Sequence, residues 1–433
     1  MKTLWCAASV GVLAAVISGP AAASGFYVQE QSARAVGRAF SGEGADTGSA
    51  SLWWNPAAIG GVAGRGDVQL GVHHVAVDAT VSDTGSTIRR IPAGLPSLPV
   101  GGVSPQEDPI DKGVVPNFGA SWRLNDKWVL GFGVAAPFNF ATRYPVTSFT
   151  RYQALKSYVF NVDLQPTLAW RPVPQLDVAV GLDANFTRAT LSNALPNLSP
   201  LLPDGGQVLQ GKGWDYGWVA GLQFHPNDQF TLGLSYRDGI KHKLAGVATI
   251  SGLLGPAAAA NTVAAATARF STPAIFTVSG RLKATDKLTL NGQIQHLTWS
   301  SFDAIVVDLP GRTSSTPQSY DNVTSIAVGA DYAVTPQWTL RAGVQRDPTP
   351  TPDPGRTARV PDGDRWDFAA GASFAASERV TLDLSALYIS FKDSPINSAA
   401  DAFGGTALNT PVNILGGVHG KGLVLSAGLR MSF

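Results

Sequence analysis

Disulfide bonds and membrane-spanning helices are both excluded by what this sequence lacks. Its only cysteine is Cys6, so no disulfide can form within the chain. It has no run of about 18 consecutive apolar residues, the length that a transmembrane helix needs. Its formal net charge of +1 provides no basic surplus for nucleic-acid binding, and we expect no nucleic-acid partner. If the chain crosses a membrane, it must do so with strands that satisfy one another's backbone groups.

Catalytic and metal-binding patterns are scarce as well. No Gly-x-Ser-x-Gly elbow occurs, so the sequence has no signature of a serine hydrolase. Of the six histidines, His73 and His74 are adjacent; on a strand they would point to opposite faces and could not bind one metal ion together. We therefore expect no catalytic residues, no metal site and no cofactor, and we interpret the chain as a protein other than an enzyme.

The first 23 residues have the layout of a secretory signal peptide. Lys2 precedes an apolar stretch from Leu4 to Ile17, and three alanines come directly before Ser24. This order of charge, short apolar core and small-residue exit predicts export, with a signal peptide over residues 1–23. Cys6 would leave with that peptide, so the mature chain would contain no thiol.

One short phrase occurs six times between residues 125 and 380. In each copy a polar or turn-forming pair is followed by Lys, Gln or Arg, and then by a large apolar residue that opens an alternating run. The copies are Asn125-Asp126-Lys127-Trp128, Val173-Pro174-Gln175-Leu176, Asn227-Asp228-Gln229-Phe230, Thr285-Asp286-Lys287-Leu288, Thr335-Pro336-Gln337-Trp338 and Ser377-Glu378-Arg379-Val380. Their spacing leaves room for two strands, one tight turn and one longer loop. Six hairpins, with one strand at about 66–82 and one at about 420–433, predict fourteen strands.

The predicted strands alternate between an apolar and a polar face, as strands with lipid on one side and a lumen on the other must. The expected lipid-facing residues of two strands are Trp128, Leu130, Phe132, Val134, Ala136 and Phe138, and Val380, Leu382, Leu384, Ala386 and Tyr388. The expected inward charges include Asp163, Asp177, Asp183, Asp215, Asp331, Asp383, Arg237, Arg281, Arg341 and Arg430.

A soluble β-sandwich would also alternate, but the aromatic residues argue against it. They lie beside the predicted short turns, as an interfacial girdle would: Trp122, Trp128, Trp170, Phe230, Trp338 and Phe433. A sandwich, moreover, has a dry core rather than a face with charges of both signs. The pattern therefore predicts an all-β membrane protein, a 14-stranded antiparallel transmembrane β-barrel over residues 65–433. The loops near residues 95, 200, 255, 315, 355 and 405 are expected outside the cell, and the six turns in the periplasm.

Residues 24–64 lie between the predicted signal peptide and the first predicted strand. Mixed spacing of apolar residues, with Gly37, Gly42, Gly44 and Gly48, suggests short helices broken by turns. This segment is too long for a linker and too rich in glycine for a strand. We expect it to fold into the lumen as a plug, called the hatch below.

Two stretches, 24–64 and 114–145, resemble the FadL family of outer-membrane long-chain fatty-acid transporters. The resemblance rests on Phe26, Glu30-Gln31-Ser32, Gly37-Arg38-Ala39, Ser41-Gly42-Glu43-Gly44, Asn55-Pro56-Ala57, Val115-Pro116-Asn117, Asn125-Asp126-Lys127-Trp128, Pro137-Phe138 and Thr142-Arg143-Tyr144-Pro145. It implies a barrel plugged by its own N-terminus, in the outer membrane of a Gram-negative bacterium. It also implies passive uptake of hydrophobic molecules, which leave sideways through a gap at a kink in the third strand.

The expected cargo is a long-chain fatty acid, and the expected partners are that hydrophobic small molecule and outer-membrane lipid, with the chain a monomer. An aromatic or alkane hydrocarbon is the alternative cargo within the same family. A general diffusion porin for polar solutes is a more distant alternative, since such a porin needs an open lumen and this chain has about 40 residues available to fill it.

Two groups of residues are candidates for the transport path. Those for the hatch and lateral gate are Phe26, Asn55, Pro56, Ala57, Gly131, Gly133 and Pro137; proline cannot donate to a strand ladder, and glycine often marks a bend. Those for ligand binding are Leu195, Leu198, Leu201, Leu202, Leu253 and Leu254 in two loops (about 193–212 and 251–267), Leu387, Ile389 and Phe391 inside the barrel, and Arg237 and Arg341 as possible partners of a carboxylate. The loop leucines could equally cap the barrel by packing on each other, and inward aspartates could equally neutralise the arginines.

Overall fold

A closed antiparallel β-barrel of fourteen strands surrounds the N-terminal part of the chain. The computed structural model describes residues 25–90 and 96–433, so the predicted signal peptide lies outside the described residues. Within those two ranges, no helix is long and apolar enough to cross a membrane. The fourteen paired strands confirm the predicted strand number.

We number the barrel strands in chain order, and several consist of two segments separated by a break. They are β1 (Gly66–Asp83), β2 (Gly113–Arg123), β3 (Trp128–Ala135 and Phe140–Arg143), β4 (Lys156–Val173), β5 (Leu176–Leu195), β6 (Gly205–Asn227), β7 (Phe230–Arg237 and Lys241–Ser251), β8 (Thr262–Ser271 and Ile275–Lys283), β9 (Leu288–Leu297 and Ala304–Leu309), β10 (Arg312–Pro317 and Val323–Ala333), β11 (Trp338–Asp347), β12 (Arg365–Ala375), β13 (Val380–Phe391 and Ser394–Ala402) and β14 (Thr410–Ser432). The first long loop adds three short strands, Thr87–Ile88, Leu98–Pro99 and Gln106–Glu107.

The first and last strands close the barrel. β1 pairs with β14 in antiparallel register from Asp67–Ser432 to Asp83–Gly416, while every other strand pairs with its neighbours in the chain. Closure removes the free edges of the sheet, whose unpaired amide and carbonyl groups could find no water in the hydrocarbon of a membrane.

The repeated phrase forms the six short turns, as predicted. In five copies the first residue accepts hydrogen bonds, through its side-chain oxygen, from the backbone amides two and three residues ahead. Asn125 Oδ1, for example, accepts from Lys127 at 2.9 Å and from Trp128 at 3.1 Å, and Thr285 Oγ1 accepts from Lys287 at 3.2 Å and Leu288 at 3.0 Å. Asn and Ser or Thr are the residues whose side chains make such turns. In the remaining copy, Pro174 provides the turn with its fixed φ.

Seven connections lie at the opposite end of the barrel, one more than the six predicted. The additional one is 144–155, between the second segment of β3 and β4, and the connection predicted near residue 315 is a two-residue turn, 310–311, between β9 and β10. The two leucine-containing loops are shorter than expected, 196–204 and 252–261, because β5, β6, β7 and β8 continue their ladders beyond the predicted membrane region.

The alternation of faces is confirmed along most strands. The aromatic residues beside the turns are exposed on the outer wall, among them Trp122 (52%) and Trp338 (44%). The inward aspartates and arginines are buried or nearly so. The expectation is wrong at the outer end of β3, where Ala136 and Phe138 are only 4% and 5% exposed. The strand breaks after Ala135 and turns into the lumen, so these side chains leave the lipid face.

Hatch residues 26–62 are packed inside the barrel, most of them buried. The segment contains one short α-helix, α1 (Ala33–Val36), and three 3₁₀ turns, Glu43–Ala45, Ser49–Ser51 and Pro56–Ile59. Ser32 caps α1 and Asn55 caps the last 3₁₀ turn through their side-chain oxygens. Gly37 packs against Gly371 of β12 so closely that a Cβ on either would lie about 3 Å from the other's Cα. Glycine thus lets the hatch backbone approach the wall directly.

Candidate functional site

A buried ionic network fixes the hatch to the turn-side half of the barrel. Arg34 donates to Glu43 at 2.6 Å, and Arg38 pairs with Glu43, with Asp46 at 2.6 Å and with Asp331 of β10 at 2.9 Å. The network continues along the wall through Arg281, Arg341, Asp383 and Arg430. The charges alternate in sign, so each arginine has a carboxylate partner, which is the condition under which charges can stay buried.

This network predicts that Arg38→Ala loosens the hatch. Removing one partner of a buried ion pair costs roughly 3–5 kcal/mol, and here it would leave Glu43, Asp46 and Asp331 with less positive charge. We expect the single-channel conductance in a planar bilayer to rise several-fold over that of the native protein. The control is Arg143→Ala, which removes an arginine whose side chain is 61% exposed and pairs with Asp111; it should leave the conductance as it was. Equal conductance of Arg38→Ala and the native protein would contradict the assignment.

The two arginines proposed as ligand partners are engaged with the protein itself. Arg237 pairs with Asp183, donates to the Trp53 carbonyl at 2.9 Å and stacks on the Trp53 ring at 3.6 Å. Arg341 lies 3.0 Å from Asp331 within the ionic network. Arg237 therefore holds the hatch to the wall, whereas Arg341 links strands of the wall to one another.

An apolar cavity with about 690 Å³ of empty space, open solvent included, lies above the hatch, toward the long loops. Side chains from β3, β5, β6 and β8 line it, including Phe140, Leu191, Leu209 and Phe270. An apolar lining with few polar groups is typical of small-molecule sites. The inward positions of these strands change from polar to apolar here, so this part of the lumen is lined mainly by apolar side chains.

Phe26, near the start of the described chain, lines this cavity and is 3% exposed. Its ring lies 4.9 Å from that of Trp299, 5.3 Å from Phe302 and 5.5 Å from Phe140, measured between centroids. Such distances are those of favourable edge-to-face and tilted aromatic pairs. The N-terminal end of the hatch is thus part of the lining of this cavity.

Arg359 is the cationic group of the cavity lining. Its guanidinium donates to three uncharged acceptors, Ser157 Oγ at 3.4 Å, the Ser192 carbonyl at 3.4 Å and Asn193 Oδ1 at 3.2 Å. Burial lowers the pKa of Arg359 to about 10, which leaves the side chain charged at neutral pH. A partly buried cation surrounded by neutral acceptors is poorly compensated, so the site favours an anionic ligand.

The loop that holds Arg359, residues 348–364, also contacts the hatch and β3. Asp362 accepts a hydrogen bond from the Gly25 amide at 2.7 Å, and the Arg359 carbonyl accepts from Thr142 Oγ1 at 3.0 Å. The Ala358 carbonyl accepts from Tyr144 at 2.9 Å. The loop at the charged end of the cavity therefore contacts both the hatch and β3 directly.

The wall is incomplete between β2 and β3. Their ladder ends at the pair Phe118–Val134 although β2 extends back to Gly113. Beyond it, β3 turns inward and pairs with the hatch instead: Tyr27 bridges to Phe138, and the Val28 amide donates to the Pro137 carbonyl at 2.7 Å. The kink thus includes Pro137, one of the predicted gate residues, whereas Gly131 and Gly133 remain in regular register with both neighbouring strands.

A second cavity, of about 280 Å³, lies at this defect. Its lining includes Leu52 and Trp53 of the hatch and also Phe118 and Val134, which belong to the lipid-facing sides of β2 and β3. The lining of this cavity therefore combines side chains of the plug with side chains of the lipid face.

Asn55, Pro56 and Ala57 lie elsewhere than expected. Asn55 donates to the Leu222 carbonyl of β6 at 3.0 Å, and Pro56 packs against Gly221, where a Cβ would overlap it. The hatch residues next to β3 are Leu52, beside Gly133, and Ile59, beside Gly131. The triplet therefore anchors the hatch to the sixth strand, because the hatch folds back on itself between these residues.

The predicted hydrophobic ligand residues fall into three environments. Leu195 and Leu253 are buried in a small cluster with Ala257 under the loops, whereas Leu201 (92%), Leu202 (38%) and Leu254 (43%) are exposed and Leu198 is intermediate. Leu387 and Ile389 are buried in the central core, with Phe391 packed against it. The main cavity has a different lining, so the sequence missed its principal residues. Arg359 carried no local signal, and Phe140 and Phe302 would have required knowledge of the bends that aim them inward.

The chain matches the family model described as "Outer membrane protein transport protein (OMPP1/FadL/TodX)" over residues 14–433. It is 24% identical over 431 residues to the long-chain fatty acid transport protein of Salmonella typhi, covering 93% of this chain and 95% of that one. It is also 24% identical over 413 residues to outer membrane protein P1 of Haemophilus influenzae, with 87% and 88% covered.

Two solved structures share this fold. A Pseudomonas aeruginosa FadL homologue superposes with a TM-score of 0.82 at 23% identity, covering 94% of this chain and 100% of that one. The Pseudomonas putida toluene transporter TodX superposes with a TM-score of 0.68 at 16% identity, covering 95% and 100%. At these identities the likeness is one of fold, which both kinds of transporter share.

Proposed function

Because this chain belongs to the family of outer membrane protein transport proteins (OMPP1/FadL/TodX), we propose that it is a passive outer-membrane channel for long-chain fatty acids. The observation that carries the proposal is the partly buried Arg359 guanidinium at the edge of an apolar cavity. An alkyl chain fits the apolar walls, and a carboxylate fits the cation. Curated relatives that are named long-chain fatty acid transport proteins support the same cargo.

Arg359 also separates the proposed cargo from its main alternative. An aromatic or alkane hydrocarbon would fill the cavity but would bury the guanidinium further without a counter-ion, which is unfavourable. A fatty acid would replace the lost hydration with a charge-assisted hydrogen bond to its carboxylate. The toluene transporters share the fold, yet the charge in this cavity favours an acid.

The proposed route has three stages. Cargo is captured at the exposed leucines of the two loops, of which Leu201 and Leu254 are the most accessible, and enters the main cavity. It then passes the aromatic partition formed by Phe26, Tyr27 and Phe138, and leaves through the second cavity between β2 and β3. Each Å² of apolar surface costs about 25 cal/mol in water, so a lateral exit into lipid avoids a cost that an axial exit into the periplasm would impose.

The hatch argues against a porin for polar solutes. Arg38, Trp54 and Tyr27 are fully or almost fully buried inside the barrel, and the ionic network crosses its lumen. A water-filled path of the size that sugars need is incompatible with this packing. We propose that the chain acts as a monomer, since the barrel is closed and contains its own cavities, and that its other partner is the lipid around it.

The proposal is tested by identifying the molecules that co-purify with the protein from membranes, using mass spectrometry after mild extraction. We expect long-chain fatty acid in amounts close to that of the protein. Ala189→Phe, which fills the cavity from β5, should lose most of it, whereas Ala184→Phe, on the lipid side of the same strand, should retain it. Equal fatty-acid content in the two variants, or a dominant uncharged hydrocarbon in the native protein, would contradict the proposed cargo.

A further inference from the structure

A row of four cationic side chains lies across the outer wall of the barrel on β5 to β8. Its members are Arg188, Lys212, Lys243 and Arg269, one on each strand, and all four residues are exposed. They lie on the face that points away from the lumen. The transport path inside the barrel makes no use of them.

The strand register makes these side chains neighbours. Arg188 is paired directly with Lys212, and Lys243 directly with Arg269. Lys212 is paired with Ala245, so that Lys243 is its diagonal neighbour on the same face. Directly opposed side chains on adjacent strands have Cβ atoms about 5 Å apart and diagonal ones about 7–8 Å. The four charges therefore form one continuous row.

The row lies immediately above the apolar band of the wall. On β6, Lys212 is followed toward the turn by three outward aromatic residues, Trp214 (50%), Tyr216 (66%) and Trp218 (48%). On β5, Arg188 follows Phe186, whose ring is 5.3 Å from that of Trp214. Aromatic girdles mark the boundary between hydrocarbon and headgroups. The cations thus occupy the headgroup level of the outer leaflet.

Acidic side chains compensate only part of this charge. Arg269 pairs with Asp308 at 2.8 Å, and Asp238 accepts a hydrogen bond from the Tyr236 hydroxyl at 3.0 Å. Asp215 is inward and accepts from the Lys243 amide at 3.1 Å. Like charges directly opposite each other on a sheet are destabilising, so an external anion bound beside these two pairs would stabilise them.

Elsewhere on the outer wall, cations at the rim have partners of their own. Lys421 of β14 is paired across the ladder with Asp78 of β1, and Lys112 lies 2.8 Å from the same carboxylate. Arg346 lies 3.8 Å from Asp364. Among the described residues, Lys112 and Arg346 therefore each have a carboxylate within 4 Å, unlike Arg188, Lys212 and Lys243.

We infer that this row binds a lipid of the outer leaflet whose headgroup carries more than one phosphate. Two adjacent cation pairs match two phosphates on a single headgroup, with arginine providing planar, bidentate contacts and lysine point charges. The acyl chains of such a lipid would run down the apolar wall below the aromatic residues. Lipopolysaccharide, the phosphorylated glycolipid of the Gram-negative outer leaflet, belongs to this chemical class.

The test compares the full-length protein with the variant Arg188→Gln/Lys212→Gln/Lys243→Gln/Arg269→Gln, both in detergent micelles. Binding of bisphosphorylated lipid A, and of the same lipid after its phosphates are removed, is measured by native mass spectrometry. Each basic side chain near an anionic lipid surface strengthens binding several-fold. We expect the quadruple variant to bind the phosphorylated lipid at least about tenfold more weakly, and the dephosphorylated lipid to bind both proteins weakly.

A matched variant, Lys112→Gln/Arg346→Gln/Lys392→Gln/Lys421→Gln, removes the same charge from the rest of the rim and should bind as the native protein does. Heat-modifiable migration on gels establishes that each barrel is folded. The inference is overturned if the quadruple variant binds phosphorylated lipid A like the native protein, if dephosphorylated lipid A binds equally well, or if phosphatidylglycerol, with one phosphate, binds as tightly. None of these readouts depends on which molecule the channel transports.

Discussion

Replacement of Arg359 by methionine is expected to lower the affinity for a long-chain fatty acid by about 10- to 100-fold. A hydrogen bond to a charged group contributes roughly 1.5–3 kcal/mol, and about 1.4 kcal/mol corresponds to a factor of ten. Methionine is unbranched and apolar, so it occupies similar space and keeps the cavity dry. The affinity of the purified protein for a fluorescent long-chain fatty acid is the quantity to measure, by titration at neutral pH.

The same variant should bind an uncharged alkane of equal chain length at least as well as the native protein, because the buried cation has been removed. Arg346→Met, at an exposed arginine on the outer wall, is the control for the loss of charge and should change neither affinity. If Arg359→Met binds the acid as tightly as the native protein, the carboxylate must lie elsewhere. An equal loss for acid and alkane would indicate a damaged cavity rather than a lost ion pair.

Ala135→Trp is expected to reduce uptake of the cargo by tenfold or more while leaving binding in the main cavity unchanged. Ala135 is 8% exposed and lines the second cavity where the β2–β3 ladder has ended. An indole there would occupy the second cavity, through which cargo would leave. Uptake of a labelled fatty acid by cells and binding by the purified protein are to be measured in parallel, since only the first should fall.

Two comparisons make this experiment decisive. Ala220→Trp places the same bulk on the lipid face of β6, away from the gap, and should leave uptake intact. A cysteine pair at Phe118 and Val134, which are direct partners, should block uptake when oxidised and release it on reduction; Cys6 is the sole native cysteine. Unchanged uptake in both the tryptophan variant and the oxidised pair would rule out the lateral route and require an axial one.

Strand number, turn position and the direction of most side chains were determined by local sequence. Asn125 and Thr285 form their turns through contacts two and three residues away, and the two-residue alternation of a strand needs no knowledge of its partner. The hatch could also be predicted as a separate segment, because its composition differs from that of the strands. The predicted turns and girdle aromatics therefore reappear in the structure at their expected places.

The transport site, in contrast, was decided by contacts between distant parts of the chain. Arg359 faces the cavity because Ser157, Ser192 and Asn193 hold its guanidinium, and β3 leaves the lipid face because Tyr27 and Val28 pair with its kink. Phe138 continued the apolar alternation, so sequence alone placed it in lipid. Its burial depends on a partner more than 100 residues earlier in the chain, and no local pattern encodes a pairing that exists only after the barrel has closed around the hatch.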